Sequence, residues 1–227
     1  MDNSGSARSH PGDRFVSRGA VGRTPVVSHF MRPTRFVIIG GGPGGNTAAS
    51  YAARHGAEVV MIEKDIVGGA AHLWDCIPSK AMIATGGAMS FLARAQGMGL
   101  GDVSPRIDVD NLSARLASIE DRIHRSTRSL LENQNVRLIE GTGMLKGPNQ
   151  VVAETSDGLE EIEADVVVLS TGSRPRIPDW APVDGERILT TREAYPPAEM
   201  PDHLIVVGSG VTGVEFVHMF KSFGCDV

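Results

Sequence analysis

Residues 36–45 read FVIIGGGPGG, and this stretch decides the fold of the chain. Its four apolar residues predict a buried strand, and the glycines that follow end the strand in a turn. Residues 46–55 are rich in alanine and predict a helix, which Gly56 stops. Residues 58–62 predict a second buried strand, which ends at Glu63. A strand, a glycine turn, a helix and a strand in this order are typical of a dinucleotide-binding unit.

The glycines of this turn have the GxGxxG spacing, and each position has a physical role. Gly40 permits the tight turn, Gly42 lets the backbone approach a pyrophosphate, and Gly45 lets the helix pack closely on the strand. The free amides at the start of the helix attract the phosphates. Glu63 is placed to accept hydrogen bonds from ribose hydroxyls. We therefore predict that the unit binds a dinucleotide, because a purely structural glycine turn leaves Glu63 unexplained.

The middle of the chain predicts two helices. Pro78 is predicted to start a helix that runs to about Gln96, because its missing N–H is not needed in a first helical turn. Asp110 predicts the N-cap of a second, longer helix. That helix has an apolar stripe, which we interpret as a packing surface rather than a partner site. The stripe comprises Leu112, Leu116, Ile119, Ile123, Leu130 and Leu131.

The chain then changes to β-structure. An Asp-Gly pair at 157–158 predicts the turn of a hairpin. A later apolar strand ends in the segment STGSRP, where Gly172 permits close backbone approach after a buried parallel strand. The predicted strands are 136–140, 150–155, 159–163 and 165–169.

A second GxGxxG turn follows a predicted strand at 204–207 and begins a helix that runs to about Phe223. Residues 226–227 predict the beginning of the next strand. A βα unit without its second strand leaves a sheet edge unpaired, so we expect the chain to be the N-terminal fragment of a longer protein. The glycines of this second turn are Gly208, Gly210 and Gly213.

The bulk properties of the 227-residue chain exclude several classes of protein. A hydrophobic content of 41% with 22% charged residues fits a soluble globular α/β protein. A net charge of −5, with acids and bases interspersed, does not favour a nucleic-acid partner, and no apolar run is long enough to span a membrane. Two cysteines, Cys76 and Cys225, do not make a disulfide framework, which fits a cytoplasmic location. Residues 1–33 lack apolar periodicity and predict a disordered tail. We predict no metal site.

Residues 68–80 read GGAAHLWDCIPSK and follow the first unit. Together with the two glycine turns, this segment resembles the flavoprotein disulfide reductases, which include lipoamide dehydrogenase, glutathione reductase, mercuric reductase and soluble transhydrogenase. The resemblance covers residues 34–227. It implies an α/β fold, with a Rossmann-like FAD-binding domain that includes a small β-meander in residues 34–200. It also implies the truncated start of a Rossmann-like NAD(P)-binding domain in residues 201–227, and a homodimer for the full-length protein.

The resemblance also implies site residues. The family has a lysine and a glutamate beside the flavin and the nicotinamide, and they match Lys80 and Glu215. The expected catalytic residues are Cys76, Lys80 and Glu215. The expected residues of the FAD side are Gly40, Gly42, Pro43, Gly44, Gly45, Glu63, Lys64, Gly69, Lys80, Thr171, Gly172 and Ser173. The expected residues of the NAD(P)H side are Gly208, Gly210 and Gly213.

The chain departs from the family pattern at one position. Family members have two cysteines in this segment, and here Ala71 replaces the first and only Cys76 remains. Disulfide reduction by exchange needs an attacking and a resolving thiol, and Cys225 is predicted to be a core residue of another domain. In this respect the chain is similar to a bacterial branch that passes electrons from NAD(P)H through FAD to a quinone. That is the function we predict.

Alternatives stay open at this point. The chain could act as a dihydrolipoyl dehydrogenase or a soluble transhydrogenase, or it could be a non-catalytic FAD-binding protein, against which the intact Lys80 and Glu215 argue. Cys76 is either a thiolate partner of the flavin or inert. Trp74 and His72 either shape an acceptor pocket or pack. The choice between NADH and NADPH is not predicted, and the chain alone is expected to be inactive.

Overall fold

The computed structural model describes residues 32–101 and 103–227, apart from the side chain of Gln96, so the predicted tail up to residue 31 lies outside the described residues. A π-helical turn, Ala71–Asp75, precedes the second α-helix, and a 3-10 turn, Ala95–Met98, follows it. The described strands are β1 (Arg35–Ile39), β2 (Glu58–Glu63), β3 (Arg137–Glu140), β4 (Thr142–Gly147), β5 (Gln150–Thr155), β6 (Gly158–Glu163) and β7 (Val166–Leu169). The described α-helices are α1 (Pro43–Arg54), α2 (Cys76–Ala93), α3 (Val109–Asn133) and α4 (Val211–Phe223).

The central sheet is parallel, with the strand order β3-β2-β1-β7. In the middle of the sheet, Val37 of β1 lies beside Val60 of β2 and Val167 of β7. Parallel neighbours need crossover connections, which α1 supplies between β1 and β2. The predicted α/β fold with a parallel sheet is therefore confirmed. A separate antiparallel meander, β4-β5-β6, contains the predicted hairpin, in which Thr155 pairs with Gly158.

The sheet has a packed layer on each face, because successive side chains of a strand point to opposite sides. Val37 and Ile39 of β1 pack in one core cluster with Val151 and Ile162 of the meander. Ile38, between them, packs in a second cluster with residues of α1 and α3. Strands buried on both faces read as continuous apolar runs, which is why residues 36–39 carry the fold signal.

A third cluster joins α2, α3 and α4. Met82 of α2, Leu116 of α3 and Phe220 of α4 are buried in it. Gly86 lets α2 approach α4 closely, since a Cβ atom at Gly86 would lie 3.0 Å from Cβ of Ser222. The helix that follows the second glycine turn therefore packs directly on the helix that contains Cys76 and Lys80.

The helix boundaries differ from the predicted ones. Pro78 does not begin its helix, because the π-helical turn continues directly into α2 at Cys76. The N-cap of α3 is Asp108 rather than Asp110, and its carboxylate accepts a hydrogen bond from the amide of Asn111 at 2.9 Å. Asp110 lies in the first turn, where the helix dipole favours a negative charge. Likewise, α1 begins at Pro43 rather than at residue 46, since proline suits a first helical turn.

The strands differ from the predicted ones in two places. Strand β4 was not predicted, because its glycines and Lys146 lower its apparent strand propensity, and pairing with β5 forms it. Residues 204–207 are not a strand, although they are apolar. Their neighbourhood has only an isolated parallel bridge between His203 and Asp226, and a strand needs a longer ladder of partners. In residues 32–101 and 103–227, no helix is both long and apolar enough to cross a membrane.

Candidate nucleotide-binding and redox site

The first glycine turn packs tightly against main-chain atoms, both its own and those of Ser170. Gly40 has a φ of +103°, and a Cβ atom on it would lie 2.2 Å from the carbonyl oxygen of Ser170. A Cβ atom on Gly45 would lie 1.9 Å from the carbonyl oxygen of Gly40. At Gly42 there is open space instead, with nothing within 4 Å. The turn is therefore packed where helix meets strand and open where a ligand would approach.

The N-terminus of α1 faces this open space. Its N-cap, Gly42, is extended and makes no side-chain capping bond, so no side chain occupies the position of an anion there. The side-chain amide of Asn46 donates to the carbonyl oxygen of Gly41 at 2.9 Å and holds the turn. Sequence reasoning missed Asn46, for which the signal was a polar residue in the first turn of an alanine-rich helix.

Glu63 lies at the end of β2, and its carboxylate is fixed by main-chain donors. The amide of Gly41 donates to Oε2 at 2.6 Å, and the amide of Asp65 donates to Oε1 at 2.8 Å. A carboxylate oxygen accepts more than one hydrogen bond, so both oxygens keep capacity for a further donor such as a ribose hydroxyl. Glu63, the predicted hydrogen-bond acceptor for the ribose, therefore also stabilises the glycine turn.

The segment that precedes the π-helical turn docks on the first glycine turn. The amide of Gly68 donates to the carbonyl oxygen of Gly41 at 2.8 Å. Gly69 has a φ of +67°, and a Cβ atom on it would lie 2.5 Å from Cα of Gly42. Only glycine fits this approach, and it places the π-helical turn next to the first glycine turn.

The π-helical turn places Ala71 directly beside Cys76 in the helical spiral. The amide of Cys76 donates to the carbonyl oxygen of Ala71, which is the i to i+5 bond of a π-helix. The thiol of Cys76 is exposed at the first residue of α2. Cys225 is buried, as predicted, in the cluster of α2, α3 and α4.

Lys80 and Glu215 meet across the junction of α2 and α4. The Nζ atom of Lys80 lies 2.8 Å from Oε1 and 2.9 Å from Oε2 of Glu215. The lysine also donates to Oγ of Ser79 at 3.3 Å. The packing of α4 on α2 therefore fixes one cation and one anion close to Cys76.

The second glycine turn repeats the geometry of the first. Its N-cap, Gly210, has φ −70° and ψ 178°, close to the φ −73° and ψ −175° of Gly42. A Cβ atom on Gly213 would lie 2.0 Å from the carbonyl oxygen of Gly208, which has a φ of +120°. The second unit therefore presents the same open helix N-terminus as the first.

A model of one protein family, described as pyridine nucleotide-disulphide oxidoreductase, matches residues 34–227. The chain belongs to this family. The NAD(P)H dehydrogenase (quinone) of Mycobacterium tuberculosis is 42% identical over 211 residues, which cover 86% of this chain and 42% of that protein. The dihydrolipoyl dehydrogenase of Zymomonas mobilis is 35% identical over 192 residues, which cover 84% of this chain and 41% of that protein.

A solved structure agrees with this assignment. The crystal structure of LpdA from Mycobacterium tuberculosis matches with a TM-score of 0.77 and 40% identity, over 85% of this chain and 43% of that chain. The chain therefore spans about two fifths of the length of the relatives that it matches.

Members of the pyridine nucleotide-disulphide oxidoreductase family depend on FAD and use NAD(P)H. The first glycine turn suits the ADP half of such a cofactor, because the open space at Gly42 adjoins a helix N-terminus and the fixed carboxylate of Glu63. The second turn has the same open helix N-terminus. The residues of the first turn thus fit a whole dinucleotide. Those of the second turn fit the pyrophosphate of a dinucleotide.

Some predicted site residues lie apart from these clusters. Lys64 is exposed just after β2. The side chains after β7, at Thr171 and Ser173, are exposed, and Gly172 has a φ of +70° with open space around it. The main-chain nitrogen of Thr171 does adjoin the first turn, since it would lie 3.1 Å from a Cβ atom on Gly40. Their neighbour Ser170 packs more closely against the first turn, with its carbonyl oxygen under Gly40 and its hydroxyl beside Gly44.

A cavity of about 270 Å³ lies beside the π-helical turn. The guanidinium of Arg192 lies 4.6 Å from the centre of the Trp74 ring, so Trp74 both packs and lines the cavity, whereas His72 does not line it. Tyr195, which sequence reasoning missed, is at its wall. The lining residues are Leu73, Trp74, Pro78, Leu116, Glu120, Arg192 and Tyr195.

Proposed function

We propose that the full-length protein is a FAD-dependent oxidoreductase that passes hydride from NAD(P)H to FAD and then passes electrons to a quinone rather than to a disulfide. The observation that carries the proposal is the π-helical turn, where the amide of Cys76 donates a hydrogen bond to the carbonyl oxygen of Ala71. Two cysteines at these positions would have neighbouring thiols, but only Cys76 has a thiol. The electron path to a disulfide substrate therefore lacks its attacking group.

The other cysteine does not replace the missing thiol. Cys225 is 7% exposed and packs among the side chains of α2, α3 and α4, and burial raises the pKa of its thiol, with Asp202 adding to this effect. A raised pKa lowers the thiolate fraction, and the thiolate is the attacking species. Disulfide exchange needs a second accessible thiolate, which the described residues do not supply.

The two glycine turns supply the binding part of the proposed mechanism. The residues around Gly42 and Glu63 would hold the FAD, and those around Gly210 would hold the pyrophosphate of the nicotinamide cofactor. When bound, FAD supplies the chemistry of accepting a hydride and releasing electrons. The π-helical turn lies between the two glycine turns in the sequence and is docked on the first of them.

The Lys80–Glu215 pair supplies the electrostatic part. Glu215 holds the ammonium of Lys80 in place through two oxygen contacts. A fixed cation stabilises negative charge that develops on a neighbouring group during electron transfer, and it does so without reorganisation. The cavity at Trp74 has two aromatic rings in its wall, those of Trp74 and Tyr195, beside the charged side chains of Glu120 and Arg192. The rings are suited to stacking on a planar acceptor.

The names of the relatives support both this function and one alternative. The relative from Mycobacterium tuberculosis is named for a quinone acceptor, and the relative from Zymomonas mobilis is named for dihydrolipoyl substrates. The second name favours dihydrolipoyl dehydrogenase as the alternative. Ala71 argues against that alternative. A cytoplasmic location and a homodimer stay predictions.

The acceptor assay separates these functions. Oxidation of NADH and of NADPH by the flavin-loaded full-length protein is followed with menadione, with lipoamide and with thio-NADP⁺ as acceptors. We expect turnover with menadione and little with lipoamide. Lipoamide reduction as fast as menadione reduction would refute the proposal, fast thio-NADP⁺ reduction would instead identify a transhydrogenase, and no turnover with any acceptor would favour a non-catalytic protein.

A further inference from the structure

The peptide bond between Val67 and Gly68 is held from two sides. The amide of Gly68 donates to the carbonyl oxygen of Gly41, in the first glycine turn, at 2.8 Å. The carbonyl oxygen of Val67 lies 3.1 Å from Nδ1 of His124 in α3. A carbonyl oxygen only accepts, so Nδ1 of His124 is the donor. Because a peptide is planar, the glycine turn and His124 hold opposite sides of one rigid unit.

His124 is carried by a helix that the core fixes independently of this bond. Leu131 lies on the same face of α3, since residues at i and i+7 of a helix point the same way. Leu131 is buried in the cluster that also contains Ile38 and the side chain of Val67. His124 itself is half-buried. The imidazole is therefore a fixed point to which the carbonyl oxygen of Val67 is bonded.

The segment that contains this peptide has little stiffness of its own. Gly68 and Gly69 have φ values of +118° and +67°. Glycine rotates with little steric resistance, so the main chain here has other orientations open to it. The amide of Gly69 donates to the carbonyl oxygen of Ile66 at 3.0 Å, which is a bond within the segment. The bond from His124 therefore favours one orientation of the peptide, in which the amide of Gly68 faces the first glycine turn.

The peptide docks on Gly41, next to the expected position of the pyrophosphate. The carbonyl oxygen of Gly41 accepts from Gly68 and from the side-chain amide of Asn46, and its amide donates to the carboxylate of Glu63. The next residue, Gly42, is the open N-cap of α1. A rotation of the docked peptide would therefore remove a bond from the turn beside the place where a phosphate would approach.

We propose that His124 is a positioning residue for the FAD site. Its imidazole orients the peptide between Val67 and Gly68, and that peptide holds the first glycine turn in the shape that binds the cofactor. The inference rests on the FAD-binding part of the proposed function and not on the choice of acceptor. Its effect is therefore on how firmly FAD is retained.

Two substitutions at position 124 separate the hydrogen bond from the bulk of the ring. His124→Asn keeps a donor, because the side-chain nitrogen of asparagine stands as far from the main chain as Nδ1 of histidine. His124→Leu fills the space and has no donor. The matched control is His55→Leu. Nδ1 of His55 also donates to a carbonyl oxygen, that of Tyr51 at 2.9 Å, but at the other end of α1 from the glycine turn.

Two measurements on the full-length protein test the inference. Hydrogen exchange of residues 66–69, followed by mass spectrometry, reports the protection of the Gly68 amide and needs no turnover. We expect this exchange to be roughly three- to tenfold faster in His124→Leu, and close to wild type in His124→Asn and His55→Leu. The loss of FAD after dilution, measured as flavin that passes an ultrafiltration membrane, should accelerate by a similar factor in His124→Leu alone.

Several results would overturn the inference. One is unchanged exchange of residues 66–69 in His124→Leu, and another is an equal rise in strand β5 of the meander, which would indicate general loosening. Equal loss of FAD from His124→Asn or His55→Leu would show that the donor at position 124 does not matter. Faster exchange without faster loss of FAD would refute the role at the cofactor. A wild-type protein that binds no FAD would overturn the proposed function as well, whereas the other results overturn the inference alone.

Discussion

Lys80 and Glu215 form an ion pair at 2.8 Å although they are 135 residues apart in the chain. The side chains are 56% and 26% exposed, so solvent screens the pair. Such a pair contributes little to stability. The structural consequence of the pair is that α2 and α4 present opposite charges at one defined point. Cys76 lies on the α2 side of that point, and the second glycine turn lies on the α4 side.

Replacement of either member should therefore affect electron transfer more than folding. For Lys80→Met and Glu215→Gln in the full-length protein, we expect the free energy of unfolding to change by less than about 1 kcal/mol. Flavin reduction by NAD(P)H should slow by roughly 100-fold, because a preorganised charge is lost or released. Urea unfolding and stopped-flow absorbance measure the two effects. Lys146→Met, which breaks the pair with Glu161, is the control, and wild-type flavin reduction in Lys80→Met would contradict the assigned role.

Restoring a thiol at position 71 should produce a disulfide. The main-chain hydrogen bond from the amide of Cys76 to the carbonyl oxygen of Ala71 brings the two residues together, so we expect Ala71→Cys to place its thiol within reach of Cys76. We expect the introduced cysteine to bond Cys76 under mild oxidation, while Cys225 stays reduced in the core. Thiol titration and peptide mapping measure this, and some lipoamide reduction should appear. Ala71→Ser is the control, and failure of the disulfide to form would show that the two side chains diverge.

The first glycine turn offers a matched pair of substitutions. Gly45→Ala would place a methyl group against the carbonyl oxygen of Gly40, so we expect a loss of about 3 kcal/mol of stability. Gly42→Ala has open space and a φ of −73°, so its cost should stay within about 1 kcal/mol. Its methyl group would nevertheless occupy the approach to the turn, and flavin content should fall. Thermal unfolding and the ratio of flavin to protein absorbance separate the effects. Full flavin content in Gly42→Ala would place the pyrophosphate elsewhere.

The two cysteines should differ in alkylation. Burial raises the pKa of the Cys225 thiol above its ordinary value of 9.0, whereas Cys76 is exposed. Because the folded state favours the neutral thiol, this contribution to stability is complete below pH 9.0 and is lost as the pH rises through the folded pKa. At pH 8 we expect iodoacetamide to label Cys76 and to spare Cys225 until urea is added. Rapid labelling of Cys225 in the native protein would contradict its place in the core.

The parts of the fold that were predicted correctly have local signals. The apolar run at 36–39 with its glycine turn, the Asp-Gly hairpin and the apolar spacing of α3 each lie within one segment of sequence. The errors arise where pairing with another strand decides whether a segment forms a strand. Strand β4 forms only because β5 is beside it, and residues 204–207 lack a ladder although Ile205 and Val207 suit a strand. The π-helical turn has no local signal either, since the Gly69 contact with Gly42 sets the entry of the chain.

The candidate site divides in the same way. The glycines and Glu63 follow from spacing alone, whereas Lys80 and Glu215 came from resemblance to a family and not from any local pattern. Tyr195 had no signal, because its ring partner Phe216 lies in α4 and only tertiary packing brings the two rings together. Residues that are brought together only by tertiary packing cannot be identified from the spacing of residues in the sequence.

The hydrogen bond from Cys76 to Ala71 involves no side-chain atom. Exchange of a thiol for a methyl group at position 71 therefore requires one residue to change and no compensating change in the turn. If the proposed function is correct, the electron acceptor can therefore change without any change in the fold. On that proposal, a change at position 71 alters the acceptor while the glycine turns and the Lys80–Glu215 pair keep their geometry.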